Sequence, residues 1–338
     1  KSFCNLEGPI NISKIFHTKD MRMHNSSNIL ELFEIINLKG LSIANNHIFD
    51  WGEKYVLESI KYLNRNGIQS HGYKYRINSK LKTIEIKDKK INYSFYSFGW
   101  SIVSCKKPTL FSPGVNTLNK KNIDYYLEEI LPKISKDSIK VVYMHWCYEM
   151  EPYLQPLHRD FARKLIDGGV NLVVGSHPHI KGPIEKYKDG YIFYTLGNFL
   201  YSTNKFNNGK LKYPEITNTQ FMIEINGINK INIHTINTNR NKLEIIKSEN
   251  IERHLIKLEL KLANLSSKDY YLFYKKWAKN NSRFLPIFSS NDNFMNQIIN
   301  ISSIYLRMLL IKLFIFLRIK ESGRRNFLKK IYNFFIHK

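Results

Sequence analysis

Acidic residues, cysteines and long apolar runs are scarce in this chain. Its 338 residues contain 28 Asp and Glu against 52 Lys and Arg, a formal charge of +24. Such basicity predicts attraction to anionic membranes, anionic polymers or nucleic acid without choosing among them. We recognise no nucleic-acid reading module, so nucleic acid is not expected as a partner. The three cysteines form no CxxC pair, which argues against a zinc knuckle or a disulfide framework and favours a reducing compartment.

The longest apolar stretch lies near the C-terminus. In "IYLRMLLIKLFIFLRIK", residues 304–320, basic residues interrupt the apolar ones, so no run approaches the roughly 20 residues needed to cross a bilayer. From Ser303 onward the chain has nine Lys or Arg and one acid. This composition predicts a helix lying in an anionic membrane interface, and a basic helix packed on the main domain or on a partner chain is the alternative. We therefore expect membrane association, and the reduced cysteines favour the cytoplasmic face.

Short apolar strands alternate with amphipathic helices up to about residue 235, and this alternation predicts a mixed α/β layered fold. Asp50 is the predicted N-cap of a helix from Trp51 to about Asn66. Helical periodicity dominates after about residue 245, so we assign residues 1–240 to an α/β domain and residues 245–338 to a helical, basic extension. The other predicted elements are a strand at 41–47, a hairpin at 83–99, strands at 139–145, 191–199 and 219–236, and helices at 121–131, 156–167, 248–265, 268–281 and 293–320.

Two histidines flank a proline in "GSHPHIKGPIE", residues 175–185, directly after an apolar run. Proline biases the residue before it toward extended backbone, and side chains two apart in extended chain share a face. His177 and His179 would then present two imidazoles on one face at the end of a buried strand. Imidazole is a common ligand of zinc, iron and manganese, so the pair predicts a metal site. The alternative is a polar turn in which both rings face water.

Three more polar clusters follow apolar strands: "NLE" at 5–7, "ANNH" at 44–47, and His145. Loops beyond the carboxyl ends of strands build the ligand site in open α/β sheets, so these segments should converge on the two histidines. Together they would supply a carboxylate, amides and several imidazoles. That mixture of nitrogen and oxygen donors predicts a metal centre.

Five segments of the chain, spread over about residues 1–225, resemble the successive motifs of the CapA family. That family is named for poly-γ-glutamate capsule synthesis and is related to the calcineurin-like metallophosphoesterases. The resemblance implies a layered αββα sandwich and a metal-dependent hydrolase or phosphoesterase in the biosynthesis of a capsule or another bacterial surface polymer. A non-catalytic, membrane-associated scaffold of a polymer-assembly complex is the alternative. The segments are "NLEGPI", "ANNHIFDWGEKYVLESIKYLNRNGI", "HWCYE", "LIDGGVNLVVGSHPHIKGPIEKY" and "YIFYTLGNFLYS".

The resemblance also implies roles for individual residues. His47 resembles the histidine that donates a proton to the leaving group of a phosphate ester. Divalent ions, expected to be two ions of manganese, iron or zinc, would activate water and neutralise phosphoryl charge. The substrate would be a phosphate ester or an anionic surface polymer. The implied metal ligands are Glu7, Asn46, His145, His177 and His179. The residues expected to support the site or line the substrate are Asn45, Asp50, Glu149 and Asn198.

The chain departs from the family pattern in two places. Family members carry a "GD" motif on a first strand, whose aspartate helps to hold one metal, and this sequence begins after that position. Because the first residue is Lys1 rather than Met, we expect upstream residues, and loss of one metal position is the alternative. Cys147 stands where the family usually has glycine, and we predict a tolerated surface substitution, with a thiol ligand as the alternative. For Asp50, a hydrogen bond to His47 is the alternative to the helix cap.

Overall fold

The computed structural model describes residues 1–12, 22–200, 213–227, 230–239, 242–255, 257–283 and 285–316. The chain divides into two compact units. The first consists of Lys1–Tyr153 and Phe161–Ala263, and the second of Leu154–Asp160 and Asn264–Lys338. The domain boundary expected between residues 240 and 245 stays a prediction.

The strands are β1 (Ser2–Asn5), β2 (Ile10–Asn11), β3 (Asn25–Ser26), β4 (Leu38–Ser42), β5 (Gln69–His71), β6 (Tyr73–Lys74), β7 (Ile84–Asp88), β8 (Ile91–Gly99), β9 (Gly114–Val115), β10 (Ile139–His145), β11 (Leu172–Ser176), β12 (Ile184–Tyr187), β13 (Gly190–Phe193), β14 (Thr219–Ile225), β15 (Ile231–Asn239) and β16 (Lys242–Asn250). The α-helices are α1 (Ile29–Ile35), α2 (Glu53–Arg65), α3 (Lys120–Tyr125), α4 (Pro156–Asp167), α5 (Ile251–His254), α6 (Lys257–Ala263), α7 (Ser267–Asn280) and α8 (Phe294–Phe316). Most predicted elements up to β15 are confirmed within a few residues.

Three sheets of at least three strands organise the first unit, and two smaller sheets pair β2 with β3 and β6 with β9. A parallel sheet has the order β1-β4-β5, and an antiparallel sheet has the order β14-β15-β16. The largest sheet has the order β12-β13-β11-β10-β8-β7. Its four central strands are parallel, whereas β12 and β7 pair antiparallel at the edges. Parallel central strands place all their carboxyl ends at one edge of the sheet, which is where ligand sites form in such folds.

The two parallel arrays pack face to face through apolar side chains. The ring of Phe3 on β1 stacks on that of Phe95 on β8, with 4.2 Å between centroids. On the outer face of the largest sheet, Tyr96 packs 4.6 Å from Tyr126, which belongs to the π-helical turn Tyr126–Ile130 that continues α3. Helix α2 buries Val56 in a core cluster with residues of the small parallel sheet. These layers confirm the predicted α/β layered αββα sandwich.

The largest departure from the sequence prediction lies at the C-terminal end of the first unit. Residues 248–265 were expected to be helical, but β16 extends through Asn250 and only then do α5 and α6 follow. Most residues of β16 are exposed, and the strand has no strict apolar alternation. It forms because its backbone pairs with β15, and sequence periodicity does not reveal such pairing.

The described part of the second unit contains α7 and α8, consistent with the predicted helical character. The side chain of Ser266 caps α7 by accepting a hydrogen bond of 3.1 Å from the backbone N–H of Asp269. Among the residues that the structure describes, no helix has the length and apolarity needed to cross a membrane. The basic tail, residues 317–338, on which part of the interfacial-helix prediction rests, lies outside the described residues.

Candidate metal centre

Loops that follow parallel strands bring the predicted ligands together. Glu7 follows β1, Asn46 follows β4, His145 ends β10, and the two histidines of "HPH" follow β11. In register, His145 pairs with Ser176, the last residue of β11. The expectation that these loops converge in space is therefore met for the described residues.

The distances define a compact cluster of donors. Ligand atoms of Glu7, His177 and His179 all lie within 4.8 Å of one another. His145 joins them, because its Nε2 is 3.9 Å from Oε1 of Glu7 and 2.8 Å from Oδ1 of Asn46. Two ligand atoms on opposite sides of one ion would be about 4.2 Å apart, given metal–ligand distances of about 2.1 Å. Small side-chain movements would suffice to close this cluster on a cation.

Two buried polar atoms of the cluster make no hydrogen bond within the part of the chain that the structure describes. Oε1 of Glu7 and Nδ1 of His177 are buried without a hydrogen bond. A buried polar group that remains unpaired costs about 1–3 kcal/mol, more if charged. A carboxylate oxygen and an imidazole nitrogen are both common metal ligands. The residues present therefore fit a divalent cation.

Burial keeps two imidazoles of the cluster neutral. It holds the pKa of His145 well below the usual value, and the neighbouring histidines lower it further. The pKa of His177 is lowered well below the usual value for the same reasons, burial first and the charges of His179 and His47 second. Only neutral imidazole can bind a metal, so burial prepares both rings as ligands.

Asp50 contacts His47 and does not cap the helix. Helix α2 has Gly52 as its N-cap, with no side-chain hydrogen bond, so the predicted cap is wrong. Oδ2 of Asp50 instead lies 2.8 Å from Nδ1 of His47 and accepts a hydrogen bond of 2.8 Å from the backbone N–H of Met23. The alternative interpretation of Asp50, a partner of His47, is therefore the one that the structure bears out.

This pairing lets His47 hold a proton. Burial lowers the pKa of His47, but the hydrogen bond to Asp50 and the negative charges of Glu7, Asp50 and Glu149 outweigh burial and raise it above the usual value. His47 is thus electrostatically different from its neighbours His145 and His177. A protonated imidazole beside a metal centre suits an acid more than a ligand.

The backbone at the two histidines is left-handed, not extended as predicted. His177 has a φ of 96° and His179 a φ of 61°. Non-glycine residues in this region cost about 1–3 kcal/mol each and cluster at functional sites. The centroids of the two rings lie 6.0 Å apart. The left-handed backbone at both residues brings the rings together, and not the alternation of side chains along an extended strand.

This strain predicts an unusual order of stabilities at position 177. The metal-free His177→Gly variant should be more stable than His177→Ala by about 1 kcal/mol, because relief of positive φ outweighs the larger unfolded-state entropy of glycine. Urea unfolding of both variants measures the difference. At Glu149, whose φ is not positive, alanine should be the more stable replacement. A His177→Ala variant as stable as His177→Gly would contradict the strain argument.

Asn45 connects two loops of the site by hydrogen bonds. Its side chain is fully buried, and its Nδ2 donates to the carbonyl oxygen of Leu6 at 2.7 Å and to Oδ1 of Asn5 at 3.2 Å. Its Oδ1 accepts from the backbone N–H of His47 at 3.2 Å. Asn45 therefore ties the loop after β1 to the loop after β4.

Asn198 and Glu149 stand in different relations to the cluster. Oδ1 of Asn198 lies 2.8 Å from Nδ1 of His179, a contact that orients the ring. Glu149 is exposed in the loop after β10, and its negative charge helps to raise the pKa of His47. Among the described residues, Asn198 thus supports the site by contact and Glu149 at longer range.

Cys147 is not the surface residue that the sequence predicted. It is 1% exposed and has a φ of 65°. Glycine adopts this left-handed conformation at little cost, which explains why glycine suits the position. Within the part of the chain that the structure describes, Cys147 is not in the cluster of Glu7, His177 and His179.

Two supporting residues escaped the sequence analysis. Oγ of Ser176 lies 3.1 Å from Nδ1 of His145 and fixes that ring. Nδ2 of Asn25 donates to the carbonyl oxygens of Glu7 and Gly8, at 2.9 and 3.0 Å, and so holds the backbone of the carboxylate. Ser176 directly precedes "HPH" at the end of the strand and could have been found from that position. Asn25 lies 18 residues from Glu7 and carries no such signal.

Comparison with known proteins identifies relatives. The family model described as bacterial capsule synthesis protein PGA_cap matches residues 1–203. The PGA biosynthesis protein CapA of Bacillus subtilis is 28% identical over 265 residues, which are 75% of this chain and 67% of that protein. The capsule biosynthesis protein CapA of Bacillus anthracis is 26% identical over 237 residues, which are 68% of this chain and 56% of that protein. Among solved structures, the calcineurin-like phosphoesterase YfkN of Bacillus subtilis matches 73% of this chain and 75% of its own, with 9% identity and a TM-score of 0.33.

Proposed function

The chain belongs to the bacterial capsule synthesis protein PGA_cap family, and from that premise we propose that it is a metal-dependent hydrolase of phosphate esters. We place this activity in the assembly of a bacterial surface polymer of the poly-γ-glutamate type, the process after which its CapA relatives are named. The excess of 24 positive charges suits an anionic polymer or a phosphate ester as the substrate. We further propose that the protein works at a membrane, on its cytoplasmic face.

One observation carries the proposal: a half-buried carboxylate, an amide and three imidazoles meet within a few ångströms. Stable packing alone does not explain this set of residues, since Glu7 and His177 each have a buried polar atom that makes no hydrogen bond to the described residues. Glu7, Asn46, His145, His177 and His179 are the residues that would hold metal. Divalent cations bound there would supply Lewis acidity, which activates water and neutralises charge on a phosphoryl group.

The protein's own residues would manage the leaving group. Asp50 occupies Nδ1 of His47, so the proton available for transfer is the one on Nε2. With its pKa raised, His47 holds that proton and can donate it to the leaving oxygen as the ester bond breaks. Asn198 keeps His179 oriented, and Asn45 keeps the loop of His47 against the loop of Glu7.

Hydrolysis of model esters tests the proposed function. Protein loaded with Mn²⁺, Fe²⁺ or Zn²⁺ should release p-nitrophenol from p-nitrophenyl phosphate or from bis(p-nitrophenyl) phosphate. Chelation by EDTA should reduce the rate to background, and adding the same metal should restore it, because the activity depends on the cation.

The control is the Glu7→Gln variant, which keeps the size of the side chain but removes its charge. If metal-loaded protein hydrolyses neither ester and the variant behaves identically, the phosphoesterase proposal is wrong. The scaffold interpretation would then replace it.

A further inference from the structure

Strand β16 forms an open edge of the antiparallel sheet β14-β15-β16. It is nine residues long, Lys242–Asn250, and pairs with β15 along one side. Its other side has no paired strand within the part of the chain that the structure describes. Three large apolar side chains on the strand are 39–55% exposed, namely Leu243, Ile245 and Ile246. A long, exposed edge strand with such side chains is a template for pairing with a further strand.

The charged side chains of β16 form one row on a single face of the sheet. Their partners in register on β15 are every second residue of that strand, so all four point to the same face. A register shift in the middle of the pairing accommodates one extra residue, Ile246, and keeps the row on that face. The signs of the charges alternate along the row, which consists of Lys242, Glu244, Lys247 and Glu249.

This charged row is complementary to itself. When two copies of β16 pair antiparallel about a twofold axis at the middle of the strand, Lys242 of one copy lies opposite Glu249 of the other. In the same register Glu244 lies opposite Lys247, and the twofold axis repeats both pairs. Opposite charges directly across a strand pair stabilise it. A register shifted by two residues in either direction would oppose Lys242 to Lys247 or Glu244 to Glu249, and like charges destabilise the pairing.

The side chains that would form these contacts are accessible. Glu244 is exposed, and 62% of the Lys247 side chain is exposed. Ile245 of one copy would lie opposite Ile246 of the other beside the axis, so that two exposed apolar side chains cover each other. Edge strands that avoid association commonly carry repelling charges, whereas the alternating signs on β16 attract a second copy in one register.

We propose that β16 is the surface at which two copies of this chain associate. Antiparallel pairing of the two strands joins two three-stranded sheets into one sheet of six strands, with the order β14-β15-β16-β16-β15-β14. One pair of nine-residue strands buries a small interface, so the dimer forms reversibly and depends on protein concentration.

Sedimentation velocity of the full chain over a concentration series tests this pairing. The unchanged protein should shift from monomer to dimer as the concentration rises. Glu244→Lys should weaken the dimer by at least about tenfold, because the twofold axis places lysine opposite lysine at two positions. Lys247→Glu should weaken it similarly, with glutamate opposite glutamate. The matched control, Glu224→Lys, makes the same charge change on β14 of the same sheet and should dimerise like the unchanged protein.

A mixture of the two charge variants identifies the register. When Glu244→Lys protein pairs with Lys247→Glu protein, every lysine at these two positions lies opposite a glutamate. The mixture should therefore dimerise about as well as the unchanged protein, although neither variant does so alone. A mixture that stays monomeric, with both variants folded by circular dichroism, would overturn the proposal. So would an unchanged protein that is monomeric at every concentration, or a dimer that Glu244→Lys leaves intact.

Amide hydrogen exchange provides a measurement without substitutions. Exchange in residues 242–250 should slow as the protein concentration rises, because the outward N–H groups of β16 then form hydrogen bonds. Exchange that does not depend on concentration, in samples that contain dimer, would place the interface elsewhere and overturn the proposal. Ester hydrolysis by the charge variants should match that of the unchanged protein, since β16 contributes none of the proposed metal ligands. Either proposal can therefore fail without the other.

Discussion

Replacing His177 and His179 together by alanine should abolish stoichiometric binding of Mn²⁺ or Zn²⁺. Both rings lie in the cluster with Glu7, and both are buried. Loss of a residue that only orients a ligand already weakens metal affinity by about 10–100-fold, so loss of two ligands should weaken it by more than about 100-fold. Elemental analysis after equilibrium dialysis gives the metal content directly.

A matched control removes two histidines elsewhere. His234 and His254 pair with Glu224 and Glu249 in the first unit and lie outside the cluster. Their double alanine variant should retain the metal content of the unchanged protein. Circular dichroism of both variants distinguishes loss of metal from loss of fold. Undiminished metal in the His177→Ala, His179→Ala protein would place the binding site elsewhere.

Replacing His47 by alanine should lower kcat by about 10²–10⁴ for esters with poor leaving groups, while the metal content stays the same. The reason is that His47 holds a proton but is not among the proposed ligands. Alkyl phosphate esters need that proton on the departing oxygen. p-Nitrophenolate leaves readily without it, so the same variant should lose less than about tenfold on p-nitrophenyl esters.

The difference between the rate losses on the two classes of ester distinguishes a catalytic acid from a structural residue. A purely structural defect would reduce both rates equally. The variant Asp50→Asn provides a graded control, because it keeps the shape of the contact to Nδ1 of His47 but removes its charge. It should lower the rate on alkyl esters less than His47→Ala does. Equal losses on both classes of ester in His47→Ala would contradict the assignment of His47 as the acid.

The convergence of the proposed ligands was predictable because each of them follows an apolar run that forms a strand. Strands such as β10 and β11 are buried on both faces, so their sequences are continuously apolar and end abruptly at a polar residue. Parallel pairing then places those ends together, which is why the sequence alone predicts that His145 and His177 lie at one site. The layered sandwich followed from the same alternation and from the family resemblance.

Local geometry was less accessible from sequence. A proline between His177 and His179 suggested extended chain, but the tertiary structure imposes left-handed φ on both residues. The sequence around Asp50 fits a capping pattern, yet the carboxylate contacts His47 because the helix begins two residues later than a cap at Asp50 requires. The backbone conformation and the partner of a side chain depend on neighbours that are distant in sequence. One example is Met23, whose backbone N–H donates a hydrogen bond to Asp50. The periodicity of apolar residues contains no information about such distant neighbours.

The central claim is that the loops after β1, β4, β10 and β11 form one metal centre. Anomalous diffraction at the zinc edge, from crystals grown with Zn²⁺, tests it most directly. The expected result is a strong peak among Glu7, His177 and His179, at about 2.0–2.2 Å from the ligand atoms. A peak that lies away from all three side chains, in protein that analysis shows to contain zinc, would contradict the claim.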